Sequence, residues 1–329
     1  MSEAAVVIRK RPNIIRRFFQ IREIGALLPL IIIFIAAAFS NPAFTSIANI
    51  LNMLRAMSYI FIVGVGMTFV LCGRGLDLSV GSQVGLAGVI LGIATLWWKL
   101  PIWASVPIAL AFGALAGGFN GFLVTVLRIP PFIATMATYY GYRGILEGVT
   151  KGMPITPMPD GFKVLGQGTF LGVAIVIWFI LVLFIVATFV LRKTKYGRYT
   201  LAMGGDVEST RLAGIDTKKL TFSLYVVSGM LAFIAGIFFT SRFSSAQPIT
   251  GTGMEMKVIA SVIIGGVSLF GGEGSILGTL VGSMFLVVLD NGMIMAHISG
   301  YWQQAVVGLI IIIAIVIDLL RRGDLLKKA

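Results

Sequence analysis

RKTKYGRYTLAMGGDVESTRLAGIDTKKL, running from Arg192 to Leu220, is the densest internal basic cluster in a chain that otherwise reads as lipid-soluble. It holds Arg192, Lys193, Lys195, Arg198, Arg211, Lys218 and Lys219. Its centre, GGDVESTRLAGID from Gly204 to Asp216, reads as a short helix with glycine at both ends. A loop that holds structure between membrane segments is expected to meet something on its own side of the bilayer. Everything around it is apolar.

Of 329 residues, 57% are hydrophobic and 12% charged, and the mean hydropathy is +0.98. Soluble domains carry about 25% charged residues, so this composition belongs to a polytopic membrane protein. The formal charge of +13 raises the question of nucleic acid. The positions of the charges answer it: they gather in the N-terminal tail, the 192–219 loop and the C-terminal tail, as membrane flanks do. No nucleic-acid partner is expected. One Cys (Cys72) and one His (His297) leave no intrachain disulfide and no His/Cys metal site.

Spanning helices need about 20 mainly apolar residues. Ten such stretches are legible, at 24–40, 52–73, 79–97, 102–127, 131–149, 169–191, 219–241, 254–271, 273–292 and 302–320. The third, fifth and eighth are short or glycine-interrupted and are expected to include half-spanning or re-entrant segments, which must be buried in protein or line a cavity. With the basic N-tail inside, Arg74, Arg128, the 192–219 loop, Arg321, Arg322, Lys327 and Lys328 all fall inside, and only Lys99, Lys151, Lys163 and Arg242 fall in outer loops. The expected organisation is thus an all-α integral membrane protein with both termini cytoplasmic. Residues 1–23 form a basic tail, 24–320 the transmembrane domain with the 192–219 loop cytoplasmic, and 321–329 a second basic tail. Gly113-Gly117-Gly121 and Gly274-Gly278-Gly282 repeat every four residues, the spacing of close helix packing, and Gly81-Gly85 adds a further pair.

Two stretches carry polar groups that a bilayer would not tolerate unpaired. CGRGLDLSVGSQ, Cys72 to Gln83, places Asp77, Ser79, Ser82 and Gln83 between apolar segments. Asp77 there either shapes a polar pathway or caps the following helix. IPPFIATMATYYGYRGILEG, Ile129 to Gly148, supplies Thr135, Thr138, Tyr139 and Arg143 after a proline pair that restarts the helix. Hydroxyls, aromatics and a cation suit a neutral polyhydroxylated solute, and they serve equally as interhelical contacts and an interfacial belt. These eight residues are the candidate lining of a translocation path. GxxxxGK[ST] is absent, so no nucleotide site is expected on this chain. Nor does any nucleophile or paired-carboxylate signature mark an enzyme.

At GLDLSVGS (Gly75 to Ser82) the chain resembles the inner-membrane permeases of ribose-type, monosaccharide ABC importers. The resemblance continues through IPPFIATMAT and YRG (Ile129 to Gly144), TKYGRYTLAMGGDVESTRLAGI (Thr194 to Ile215) and GMEMKVIASVIIGGVSLFGGEGSILGTLVGS (Gly253 to Ser283). It implies a non-enzymatic permease subunit in a bacterial inner membrane, importing a monosaccharide or polyol. Its implied partners are a second permease copy or a homologous permease, cytoplasmic ATPase subunits that carry ATP and Mg, a periplasmic sugar-binding protein and membrane lipid. No cofactor is expected on this chain. The resemblance also implies that Gly204, Gly205, Asp206, Val207, Glu208, Arg211, Leu212 and Gly214 form the helix that couples to the ATPase. Asp206 stands where the family commonly has Asn, and Ser209-Thr210 where it commonly has Ala-Ala. The competing class is an ion-coupled secondary transporter, which would need midplane carboxylates or broken helices that hold ions.

Overall fold

The computed structural model describes residues 22–322, and within them the chain folds into thirteen α-helices and one two-residue β-hairpin. The basic stretches at 1–21 and 323–329 lie outside the described residues. In chain order the helices are α1 Arg22–Ser40, α2 Ile47–Cys72, α3 Val80–Gly92, α4 Ile102–Thr125, α5 Pro131–Thr150, α6 Asp160–Gln167 and α7 Ile175–Lys193. They continue with α8 Lys195–Gly205, α9 Val207–Leu212, α10 Thr217–Phe243, α11 Met254–Ile264, α12 Ile276–Met295 and α13 Gly300–Arg322. Helix α3 runs on through a π-turn, Ile93–Trp97.

Among the described residues, six helices are long and apolar enough to cross a membrane: α2, α3 with its π-turn, α4, α7, α10 and α12. In α1 and α13 the described apolar stretches are Leu27–Ser40 and Gly300–Ile313. Two expected spans change shape. The stretch 169–191 opens with the hairpin β1 Thr169–Phe170 and β2 Val173–Ala174, so its helix starts at Ile175. The stretch 254–271 is helical only to Ile264, because Gly266, Gly271 and Gly272 take left-handed φ values that end a helix. At 131–149 a helix forms as expected, but its tyrosines and charges leave it less apolar than the six.

Two helices organise the rest. Every residue of α2 from Met57 to Cys72 is buried, which is how a helix apolar on all sides behaves when it is surrounded by others. It packs on α7, α10, α11 and α12, and α10 packs in turn on α3 and α4. The glycine repeats sit at these crossings. A Cβ on Gly117 would meet the Tyr225 carbonyl of α10, and one on Gly229 would meet Gly113 and Gly117 of α4. Gly278 and Gly282 of α12 rest against Gly265 and Ser261 at the end of α11. Without a hydrophobic driving force inside lipid, this backbone-to-backbone approach is what holds such helices together.

Between α10 and α11 the chain is unwound from Ser244 to Gly253. Ser245, Ala246, Pro248 and Thr250 are buried there, and the segment lies along α3, where Gly81 and Gly85 leave room for its Gly251 and Thr250 carbonyls. Ala246 exchanges two backbone hydrogen bonds of 3.0 Å with Ile155. Unwound backbone inside a membrane bundle survives only with such partners.

Candidate functional site

Asp77 is fully buried, at the centre of a network that ties five segments together. Its Oδ1 accepts from the Ser79 amide (3.1 Å), the Ser79 hydroxyl (2.6 Å) and, more distantly, Asn120 Nδ2 (3.4 Å), while Oδ2 accepts from Ser228 Oγ at 2.9 Å. Asn120 Nδ2 and Gln83 Nε2 each donate to Ser79 Oγ at 2.7 Å, and Thr138 Oγ1 donates to Asn120 Oδ1 at 2.6 Å. Next to it, Thr135 and Tyr225 both donate to the Leu76 carbonyl. The carboxylate therefore does more than cap a helix: it binds the 73–79 turn to α3, α4 and α10. Ser79, which begins α3, makes no side-chain cap to it. A buried carboxylate needs this many donors, since each one lost leaves a desolvated acceptor.

A second group lies one helical turn along. Gln83 Oε1 and Ser82 Oγ on α3, Nε and Nη2 of Arg143 on α5, and Glu255 Oε2 on α11 are buried and make no hydrogen bond. The Gly81–Gly85 face brings two of these residues together, Glu255 lying against Gly81 and Arg143 beside Gly85. The remaining Arg143 nitrogen, Nη1, donates to the Pro248 and Thr250 carbonyls, at 2.5 and 3.0 Å, so the arginine also holds the unwound segment. The Tyr139 ring stands 6.0 Å from its guanidinium. Native interiors rarely leave polar atoms unpaired, and three of these five belong to Arg143 and Glu255 on the glycine face. Thus Asp77, Ser79, Gln83, Thr135 and Thr138 fall in the hydrogen-bonded network, Arg143 lies on the glycine face with the Tyr139 ring near it, and Ser82 keeps a buried, unpaired hydroxyl on α3.

The basic loop folds as two helices. Helix α8 ends where Asp206 caps α9, accepting from the amides of Glu208 (2.9 Å) and Ser209 (3.1 Å), with Ser209 Oγ donating to its other oxygen. Those Ser209 bonds hold the Asp206 carboxyl below the usual carboxylate range. Glu208 and Arg211 pair at 2.7 Å on the outer face, and Val207 and Leu212 are both exposed, Leu212 by 78%. Gly205 and Gly214 stand in open space, whereas Gly204 is buried. It presses on the Cys72 carbonyl at the end of α2 and on the Gly272 amide, which itself donates to Cys72 O at 3.0 Å. Three glycine turns (73–75, 204–205 and 271–274) thereby lock the loop to α2 and to the α11–α12 connection. A polar residue inside a glycine repeat, Asn120, and Ser228 beside Gly229 were the sequence signals for the Asp77 partners. The three-turn lock had none, since its members are about 70 to 200 residues apart in the sequence.

The model of the branched-chain amino acid transport system permease component family matches residues 49–315. The ribose import permease of Haemophilus influenzae is 40% identical over 300 residues, covering 90% of this chain and 93% of the relative. Its counterpart in Escherichia coli K12 is 37% identical, with 92% and 96% covered. The autoinducer 2 import system permease of Salmonella choleraesuis is 34% identical, with 90% and 85% covered. No solved structure matches the chain.

Proposed function

The chain belongs to this permease family, as a permease subunit of a sugar-type ABC importer and a transport component rather than an enzyme, and on that premise we propose how it works. It imports a monosaccharide or related polyol across a bacterial inner membrane, alongside cytoplasmic ATPase subunits that bind ATP and Mg and a periplasmic sugar-binding protein. Ribose and autoinducer 2 are the solutes in its relatives' names. The single observation that carries the path is the set of unpartnered buried polar atoms on Arg143 of α5 and Glu255 of α11, both lying along the glycine face of α3. Free donors and free acceptors side by side suit hydroxyl groups, which are both.

A second permease, identical or homologous, completes the path. Supporting this, Gly141, Gly144 and Gly148 of α5 meet nothing within 4 Å, and exposed Tyr140 and Glu147 share that helix. Lipid is a poor neighbour for a carboxylate, so protein or a water-filled pathway suits that side. Residues 192–219 face the cytoplasm, with both termini on the same side. The exposed faces of Val207, Glu208, Arg211 and Leu212 dock on the ATPase as a short helix in a groove. ATP-driven movement there reaches the bundle through the glycine turns, which couple α9 to α2 and α11. The dimer thereby alternates between outward- and inward-facing states.

The test is a pull-down of the tagged complex in mild detergent, with mass spectrometry of what co-purifies. An ABC ATPase subunit is the expected companion. Recovery of the chain alone from several mild detergents, together with uptake that needs no ATPase and collapses with a proton uncoupler, would overturn this reading in favour of ion-coupled transport.

A further inference from the structure

A cavity of about 510 Å³ lies between α2, α10, α11 and α12, on the opposite side of the first turn of α11 from the Arg143–Glu255 group. Met254 and Lys257 line it, while Glu255 between them lies against Gly81. Its size falls in the range of small-molecule sites, and its lining is unusual for a membrane bundle. Asn49 and Asn291 hold each other through reciprocal amide bonds of 2.9 and 3.0 Å. Lys257 pairs with Asp290 Oδ2, which leaves Asp290 Oδ1 buried without a partner. Tyr59 is 4% exposed, and its hydroxyl lies beside the Arg242 guanidinium without a hydrogen bond of ordinary geometry. Arg242 lies over the Tyr59 ring at 5.9 Å and over Phe243 at 5.4 Å, and makes no ion pair among the described residues.

We propose that this cavity is a binding site for a neutral polyhydroxylated solute of monosaccharide size. The chemistry selects that class. Asp290 Oδ1 is a free acceptor, the Arg242 guanidinium a donor, and the Tyr59 hydroxyl both. A sugar hydroxyl gives and takes hydrogen bonds, so adjacent hydroxyls satisfy such a mixture. Sulfate only accepts, and it would face the open carboxylate oxygen. A lipid tail would leave every one of these atoms desolvated and unpaired. Apolar Ile60, Phe239 and Val287 supply the rest of the wall, against which the carbon face of a sugar ring packs. The site rests on the import reading, as a station on the route before the α3–α5–α11 group.

Cysteine labelling of the full chain tests it. Asn52 and Ile294 both line the cavity and are exposed, and the native Cys72 is buried. Single Asn52→Cys and Ile294→Cys chains would be reacted with a maleimide in the presence of ribose, glucose or sorbitol. At least one of these probes, at ~100 mM to saturate a millimolar site, should slow labelling about fivefold at both positions. Sodium sulfate should not. Adding Tyr59→Phe and Arg242→Gln should remove the protection. Unchanged labelling with all three probes at both positions, or protection that survives Tyr59→Phe and Arg242→Gln together, would overturn the site and leave the cavity to water. ATP-driven uptake is scored separately with the ATPase and binding protein. Uptake without protection refutes the cavity and spares the import reading; protection without uptake does the opposite.

Discussion

A single methyl group should have opposite effects at Gly204 and at Gly205. A Cβ on Gly204 would lie 1.8 Å from the Cys72 carbonyl oxygen and 2.3 Å from the Gly272 amide nitrogen. Ordinary contact lies near ~3.5 Å, so the α8–α9 junction would have to retreat by roughly 1.7 Å. Both obstructing atoms are backbone, and neither can rotate away. Overpacking of this kind costs about 1–3 kcal/mol, and the rigidity here puts Gly204→Ala at the upper end. At Gly205 a Cβ meets nothing within 4 Å, and the φ is not left-handed. There Gly205→Ala gains up to ~1 kcal/mol from the unfolded chain's lost freedom. The two variants, one residue apart, should therefore differ by about 3–4 kcal/mol, combining the overpacking cost with the glycine gain. Thermal unfolding of the purified permease reads the stability, and ATPase stimulation by sugar-loaded binding protein reads the coupling. Gly204→Ala should lower both and Gly205→Ala neither. Indistinguishable melting and coupling in the two variants would refute the three-turn lock as the link between loop and bundle.

Reversing Glu208 or Arg211 singly should impair ATPase association while leaving thermal stability unchanged, because an exposed ion pair contributes little to the fold. The double reversal should not restore association if a partner reads the charges; restored pull-down would show that only the internal pair mattered. Asn120→Ala removes two donors from the Asp77–Ser79 pair and the acceptor of Thr138, and should destabilise the bundle by ~2–3 kcal/mol in a thermal or chemical unfolding assay. Asp206 has a depressed carboxyl, so its cap is complete above the ordinary carboxylate pKa and is lost as pH falls through the lowered folded value. The protection of α9 amides, measured relative to their intrinsic exchange rates, should fall only in that acidic range, and Asp206→Ala should lower it at every pH; an Asp206→Ala loop with wild-type protection would sink the cap. Replacing Gly278 with a bulky residue should destabilise the α11–α12 crossing, where the Gly265 carbonyl already fills the space, and unaltered expression and melting would contradict it.

Composition and spacing alone made this a polytopic helical membrane protein, because lipid admits few charges and only self-satisfied backbone. Local chemistry was equally legible. Proline at 130–131 restarts a helix, glycine at four-residue intervals packs one, and the segment from Gly204 to Asp216 forms a short one. The motif order identified the family for the same reason, since its residues are contiguous. The tertiary structure decided what contiguity cannot carry. Asp77 lies next to Ser228, 151 residues away, and this turns a plausible cap into the centre of a buried network. Glu255 and Arg143 meet only because an unwound strand lies along the glycine face of α3. Gly204, grouped by sequence with the loop's exposed residues, faces inward because two distant turns arrive at the same point. Helix propensity and hydropathy act between near neighbours along the chain. Which polar atoms end up sharing one buried space is fixed only when the helices pack.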